Sequence, residues 1–131
     1  MPEENVQIVR RGFEEFVRTG DFDPELFDPK VEFDNSNAML DGAVYRGPEG
    51  VREYLSLLRE MWKQVRIEPQ EFIPVGEDRV VVPVRMIVVG RDEIETVARA
   101  ANLFTLRDGR VTHFKAFQSK AEALQAADAS E

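Results

Sequence analysis

The chain has 131 residues, of which 43% are hydrophobic and 32% charged, and this composition predicts one globular domain over residues 1–131 rather than a disordered chain. The formal net charge of −8, with no compensating basic patch, would repel phosphate backbones, so we expect no nucleic-acid partner. Because there is no cysteine, a disulfide framework and a thiolate metal site are excluded, and a cytoplasmic location fits. The sequence contains no run of about 18 apolar residues, so we expect no membrane-spanning segment.

The first half of the chain predicts two amphipathic helices with a short strand between them. Apolar residues recur on one helical stripe over residues 3–19, and Gly20 follows as a stop signal. Asp23-Pro24 is typical of the start of a short helical turn, and residues 31–34 are a strand candidate. Gly47-Pro48 opens a second helix, whose apolar stripe runs as far as Val65.

From residue 67 onward the hydrophobic period changes from that of a helix to that of a strand. Four strands are predicted over residues 67–75, 80–89, 94–106 and 111–118, and Asp108-Gly109 is the turn of a hairpin. Ser119-Lys-Ala-Glu122 has the pattern of a capping box and opens a C-terminal helix. This order predicts an α+β fold, in which a curved antiparallel sheet carries the N-terminal and central helices on its concave face.

Strand alternation assigns the polar residues of the last two strands to opposite faces. Asn102 falls among small and aromatic residues, as expected on the helix-covered face, whereas His113 falls with Lys115 on the outer face. We therefore expect no shared site, unless a β-bulge reverses the local parity. The outer face also carries apolar residues with no helix left to cover them, which predicts a homodimer. These residues are Ala101, Leu103, Val111 and Phe117.

Two segments of the chain resemble a known family. Residues 44–55, VYRGPEGVREYL, are similar to a loop, glycine and helix of that family, and Thr19-Gly-Asp-Phe-Asp23 at the end of the first helix is similar too. On these residues the chain resembles the SnoaL-like branch of the nuclear transport factor two-like superfamily, which includes the ketosteroid isomerases. The resemblance covers nearly the whole chain. It implies a cone-shaped fold, a deep apolar pocket between sheet and helices, and dimerisation through the outer sheet face.

The resemblance to ketosteroid isomerases also implies three positions in the pocket. Those enzymes use a carboxylate base after the first strand, together with a tyrosine on the first helix and a protonated aspartic acid on the sheet. The base position falls near Asp34, with Phe33 an equally close alignment. The tyrosine position falls on Phe13 and the acid position on Asn102, so both differ from the isomerase residues.

We expect Asp34 and Asn102 to be the catalytic residues. Apolar neighbours would disfavour the ionised form of Asp34 if it faced the pocket, which suits a general base, although it could equally cap a loop; Asp41 is a weaker competitor. A buried amide without a hydrogen bond costs roughly 1–3 kcal/mol, so Asn102 must bond the protein, a water or a ligand. The expected ligand contacts are Phe13, Phe16, Tyr54, Leu58, Trp62, Val82, Val84, Met86, Phe104, Phe114 and Gln118.

These residues favour a pocket protein for an apolar small molecule, and one candidate is an enzyme that moves a proton during isomerisation, cyclisation or dehydration of a carbonyl substrate. Two alternatives stay open, namely a non-catalytic pocket for a hydrophobic ligand and an assembly module whose dimer face is its function. The sequence has no glycine-rich phosphate loop, no Ser-His-Asp order and only one histidine, so we expect neither a cofactor nor a metal ion.

Overall fold

The computed structural model describes residues 2–35 and 43–129, which form three helices and a curved mixed sheet. The helices are α1 (Pro2–Thr19), α2 (Gly47–Met61) and α3 (Lys120–Ala129), and a 3-10 turn spans Pro24–Leu26. The strands are β1 (Phe27–Asp34), β2 (Val44–Arg46), β3 (Gln64–Pro69), β4 (Ile73–Val75), β5 (Arg79–Val89), β6 (Glu95–Arg107) and β7 (Arg110–Phe117). The α+β prediction is confirmed. No helix in the described part of the chain is long and apolar enough to span a membrane.

The helix boundaries follow from local chemistry. The Asp23 side chain accepts a hydrogen bond from the Glu25 backbone N–H at 2.9 Å, as the N-cap of the 3-10 turn. Gly47 has a φ of +72°, which a residue with a side chain rarely adopts, and the following proline starts α2. At α3, Ser119 Oγ accepts from the Glu122 backbone N–H at 3.2 Å, which is one half of the predicted capping box.

The strands run in the order β2-β1-β7-β6-β5-β3, with β4 also paired to β5. All pairs are antiparallel except β1 with β7, which is parallel, so the sheet is mixed where the sequence predicted an antiparallel one. A parallel pair needs a long crossover, and here the rest of the chain supplies it. The sequence also missed β2, in a segment predicted as a loop, and predicted β3 and β4 as one strand.

Helices α1 and α2 pack on the concave face of the sheet, as predicted. The core they form with it contains Val9 and Phe13 of α1, Val51 and Leu55 of α2, and the inward residues of the central strands. The apolar stripes read from the sequence are therefore the stripes that the helices bury.

The outer face is covered at one end by α3, which corrects the expectation that no helix is left for it. Ala123 and Ala127 of α3 pack against a cluster on the sheet that includes Val81. The register of β6 with β7 shifts at a bulge, because Thr105 pairs with His113 and the next residue, Leu106, pairs with Val111. This shift turns the side chain of Val111 into the concave core. Of the four apolar residues expected on a dimer face, three lie under α3 and one lies inside. They are Ala101, Leu103 and Phe117 under the helix, and Val111 inside.

Because α3 packs on the sheet, we expect a charged substitution on its buried side, but not on its exposed side, to lower the stability of the fold. The side chain of Ala123 is 0% exposed, whereas that of the neighbouring Ala121 is exposed. Ala123→Glu should lower the free energy of unfolding in urea by more than about 2 kcal/mol, because it buries an unpaired charge against the sheet or detaches the helix. The matched control Ala121→Glu should change it by less than about 0.5 kcal/mol. Equal effects of the two variants would show that α3 does not dock as described.

Candidate functional site

The concave face of the sheet is closed at one end and open at the other. Along β6 the inward residues change from buried Leu106 and Phe104, through Asn102 at 9% exposed, to half-buried Ala100 and exposed Ala98. The helices therefore cover only part of this face. The part of this face beyond Asn102 is therefore the part that the helices leave uncovered.

Aromatic contacts fill the closed end. The rings of Phe13 and Phe104 meet edge to face at 5.8 Å between centroids, and Phe104 and Phe114 do so at 5.1 Å. Phe33 stacks on Phe114 at 3.9 Å. Such contacts add to the area that the rings bury, so this end is packed core and not ligand space. The expected ligand contacts that lie in this core are Phe13, Val82, Val84, Phe104 and Phe114.

A cleft of about 540 Å³ lies at the open end, between the last turns of α1 and α2 and the edge strand β3. Its volume falls in the range of small-molecule sites. Of the expected ligand contacts, Phe16, Leu58 and Trp62 line it, while Met86 is half-buried and in register with Ile67 of the cleft wall. The β3 residues were missed, because membership of the cleft depends on where the two helices end. They are Val65, Ile67 and Pro69 on the inward side.

Asn102 has no hydrogen-bond partner for its side chain among the described residues. It lies in register between Val82 of β5 and Ala116 of β7, both of which are apolar. In the described part of the chain, every fully buried side-chain nitrogen or oxygen atom has a hydrogen-bond partner. The amide of Asn102 must therefore reach open space, where it can bind a polar atom of a ligand.

A second polar group lies at the end of β1. Asn35 is 3% exposed, and its Oδ1 accepts a hydrogen bond from the Ala43 backbone N–H at 2.9 Å. Burial raises the pKa of Tyr54 above its ordinary value of 10.0, the bond from Asn35 opposes this rise, and the neighbouring Tyr45 adds to it. Tyr54 is therefore a neutral phenol at physiological pH.

Strand alternation places Asp34 on the outer face of the sheet. Phe33 is in register with Phe114 and stacks on it inside the core, whereas Asp34 is in register with Lys115. The alignment left open between Phe33 and Asp34 is decided for Phe33, which takes the inward position. Asp34 and Asn102 thus lie on opposite faces, and the expectation that they form one catalytic site is corrected.

The outer face also holds the histidine. His113 is in register with Thr105 and lies 3.7 Å from a carboxylate oxygen of Glu32. It is therefore well separated from the pocket, as the alternation in the sequence predicted. Gln118 is exposed just beyond β7, and Asp41 lies outside the described residues. Among residues 2–35 and 43–129, no group of three or more His, Asp or Glu side chains could hold a metal ion.

Asn35 is a buried polar residue that the sequence analysis did not predict. The signal was present, because Val31 and Phe33 point inward and the residue two positions further on continues that face. The predicted strand ends at residue 34, because the polar segment that follows is typical of a loop.

Comparison with solved structures shows the fold. TerC co-crystallised with polyporic acid is 23% identical, with a TM-score of 0.77 over 95% of this chain and 98% of that chain. A protein from Jannaschia sp., assigned as a SnoaL-like polyketide cyclase, is 22% identical, with a TM-score of 0.72 over 99% and 94%. A ketosteroid isomerase-like protein from Catenulispora acidiphila, in complex with trimethylamine, is 16% identical, with a TM-score of 0.71 over 93% and 92%.

No curated protein sequence matches this chain. The family model of the SnoaL-like domain matches residues 9–114 of this chain, from the middle of α1 to the middle of β7. Of the inward positions of the sheet described above, this span leaves out Ala116 of β7. The chain belongs to the SnoaL-like domain family.

Proposed function

We propose that the chain binds an apolar small molecule with a carbonyl group, and that Asn102 donates a hydrogen bond to the carbonyl oxygen. The observation that carries this proposal is the amide of Asn102, which is 9% exposed, unpartnered among the described residues, and located where the concave face opens. A buried polar group without a protein partner destabilises the folded protein, and a hydrogen bond to a matching ligand atom offsets this penalty.

The cleft at the open end of the concave face supports an apolar ligand, although Asn102 is not one of its lining residues. Aliphatic and aromatic side chains form much of its wall, and its volume of about 540 Å³ suits a molecule of a few rings. Two proteins of the same fold contain small molecules, polyporic acid in one and trimethylamine in the other. Their ligands are evidence that the fold accepts small molecules, and this chain's own residues determine which one it takes.

Proton transfer on the bound molecule is a second candidate and would make the protein an isomerase, cyclase or dehydratase. It is favoured by Asn102, because a hydrogen bond to a carbonyl oxygen makes the neighbouring C–H more acidic. It also needs a base. Of the described residues that line the cleft, Glu68 alone is a carboxylate, and strand alternation places its side chain on the outer face, where it pairs with Arg85 at 3.3 Å. The geometry therefore supports binding better than catalysis.

Asn102→Leu should weaken binding of prodan, an apolar naphthyl ketone, by about 3- to 10-fold, because leucine has nearly the same volume and no N–H. Prodan emission moves to longer wavelength when its carbonyl accepts a hydrogen bond, so emission from the variant complex should move to shorter wavelength. Fluorescence titration measures both quantities.

The control for Asn102→Leu is Thr105→Val, which removes a polar group from the outer face of the same strand. It should leave both affinity and emission as in the wild type. If the wild type shows no saturable binding, the proposed function is wrong. If it binds and Asn102→Leu changes neither quantity, the role of Asn102 is wrong.

Ala100→Leu should weaken prodan binding at least about tenfold, because the larger side chain occupies the open part of the concave face next to Asn102. Ala121→Leu adds the same atoms on exposed α3 and should have no effect. Thermal unfolding of both variants checks that the fold is retained. Unchanged binding by a folded Ala100→Leu protein would place the ligand elsewhere.

We also propose that the part of the outer face that α3 leaves uncovered pairs with a second copy of the chain. Val97 is 49% exposed there and lies in register with Ile87. Arg99 and Arg66 lie on the same side of the sheet as the carboxylate of Glu68, and such a mixture of charges can complement itself across a two-fold axis. The absence of cysteine supports our further proposal of a cytoplasmic location.

If this face pairs two copies, Val97→Glu should convert a dimer to a monomer in light scattering at micromolar concentration, because two new like charges would meet at the interface. Leu57→Glu changes an exposed residue of α2 in the same way and should leave the mass unchanged. A wild-type mass of one chain would contradict the proposed pairing.

A further inference from the structure

We propose that the free edge of β3 pairs with the same edge of a second copy of the chain, antiparallel and about a two-fold axis at Ile67. Among the described residues, β3 pairs with β5 alone and ends the sheet on that side. Pairing at this edge joins the sheets of two copies into one. It involves neither the ligand nor the outer face, so it is independent of both proposals above.

The backbone groups on the free side of β3 belong to its odd-numbered residues. The Gln70 N–H donates to the Pro83 carbonyl at 2.8 Å, and this pair continues the register of β3 with β5. Hydrogen-bonded and non-hydrogen-bonded pairs alternate along an antiparallel ladder, so the even-numbered residues of β3 bond to β5. The carbonyls of Val65, Ile67 and Pro69 therefore point away from β5, as do the N–H groups of the first two. No hydrogen bond in the described part of the chain uses them.

An axis at Ile67 pairs these groups with each other. The N–H and carbonyl of Ile67 bond those of its copy, and the Val65 N–H of each chain donates to the Pro69 carbonyl of the other. The proline has no N–H to donate, which is tolerated at an edge strand. A contact over residues 65–69 buries less than the roughly 1,200 Å² of a standard interface, so the association is weak and appears only well above micromolar concentration.

The charged side chains of β3 favour this register. With the axis at Ile67, Arg66 lies opposite Glu68 of the second copy in a non-hydrogen-bonded pair, where side chains come closest. An axis at Arg66 or at Glu68 would place like charges opposite each other. Arg66 has no carboxylate partner among the described residues, whereas Glu68 contacts Arg85 at 3.3 Å and is 44% exposed, which leaves room for a second cation. The same charges that discourage unspecific pairing of an edge strand are thus complementary in this register.

Apolar side chains lie beside the edge on the concave side. Val65, Ile67 and Pro69 are half-buried, and they form the β3 wall of the cleft. Val17 of α1 is 66% exposed and lines the cleft together with Pro69. In the proposed pairing, Val65 of the second copy comes opposite Pro69, so it covers part of this exposed apolar surface.

The first test uses disulfide formation to report the register. The chain has no cysteine, so Arg66→Cys and Glu68→Cys proteins each carry a single thiol. In the proposed pairing the Cα atoms of these two positions lie about 4.5 Å apart across the axis, within the range of a disulfide. A mixture of the two proteins under mild oxidation should therefore form a mixed disulfide at least about tenfold faster than either protein links to itself, because identical positions lie about 7–8 Å apart.

Two further substitutions, made in both members of that mixture, locate the contact. Ile67→Pro removes an N–H that points away from β5 and should abolish the mixed disulfide, while thermal unfolding checks that the fold is retained. Val97→Glu changes only the outer face and should leave the mixed disulfide unchanged. A mixed disulfide that forms no faster than the self-linked products would overturn the proposal. So would one that Val97→Glu abolishes and Ile67→Pro does not, because the contact would then lie on the outer face.

The second test needs neither cysteine nor proline. In the Val97→Glu background, Arg66→Glu and Glu68→Arg should each weaken self-association in sedimentation at concentrations well above micromolar, because each places like charges opposite each other. An equimolar mixture of the two should associate at least as strongly as the parent, since opposite charges then face each other at both positions. A mixture that associates no more strongly than its components, or a parent that stays monomeric at these concentrations, would overturn the edge pairing.

Discussion

The edge-to-face contact between Phe13 of α1 and Phe104 of β6 is the constraint on which the rest of the pocket depends. It fixes the first helix over the middle of the sheet, and the continuing contacts to Phe114 and Phe33 close that end of the concave face. With α1 anchored there, its last turn reaches only the edge strand β3. The space between that turn, α2 and β3 then stays open as the cleft.

The aromatic core at the closed end also explains why the polar side chains next to it are uncharged. The inward positions nearest the aromatic core carry amides and a phenol, and the described carboxylates at this end of β1 lie on the outer face. Transfer of a carboxylate from water into such an apolar site is costly, whereas a neutral amide needs only one or two hydrogen bonds. Under the proposed function, the neutral amide of Asn102 would bind an uncharged oxygen without that cost.

The position of α3 determines how much of the outer face of the sheet stays exposed. α3 is rich in alanine, and its small side chains let it lie close against Val81 and the residues around it. The cover ends before the β6 residue Val97, so apolar surface remains exposed only toward the start of that strand. Any self-association through this face is thereby confined to the uncovered half, where charged side chains of both signs alternate with valine and isoleucine.

The sequence by itself determined the elements and most of the faces. Hydrophobic period, caps and turn residues are local properties, so α1, β5, β6 and β7 could be predicted within a few residues, and so could the opposite placement of Asn102 and His113. Only the tertiary structure decided the parallel pairing of β1 with β7, the inward turn of Phe33 in place of Asp34, and the use of α3 as a cover. Each of these depends on contacts between residues distant in the chain. The same holds for the bulge that moves Val111 inward, because no local pattern specifies which strand will lie alongside.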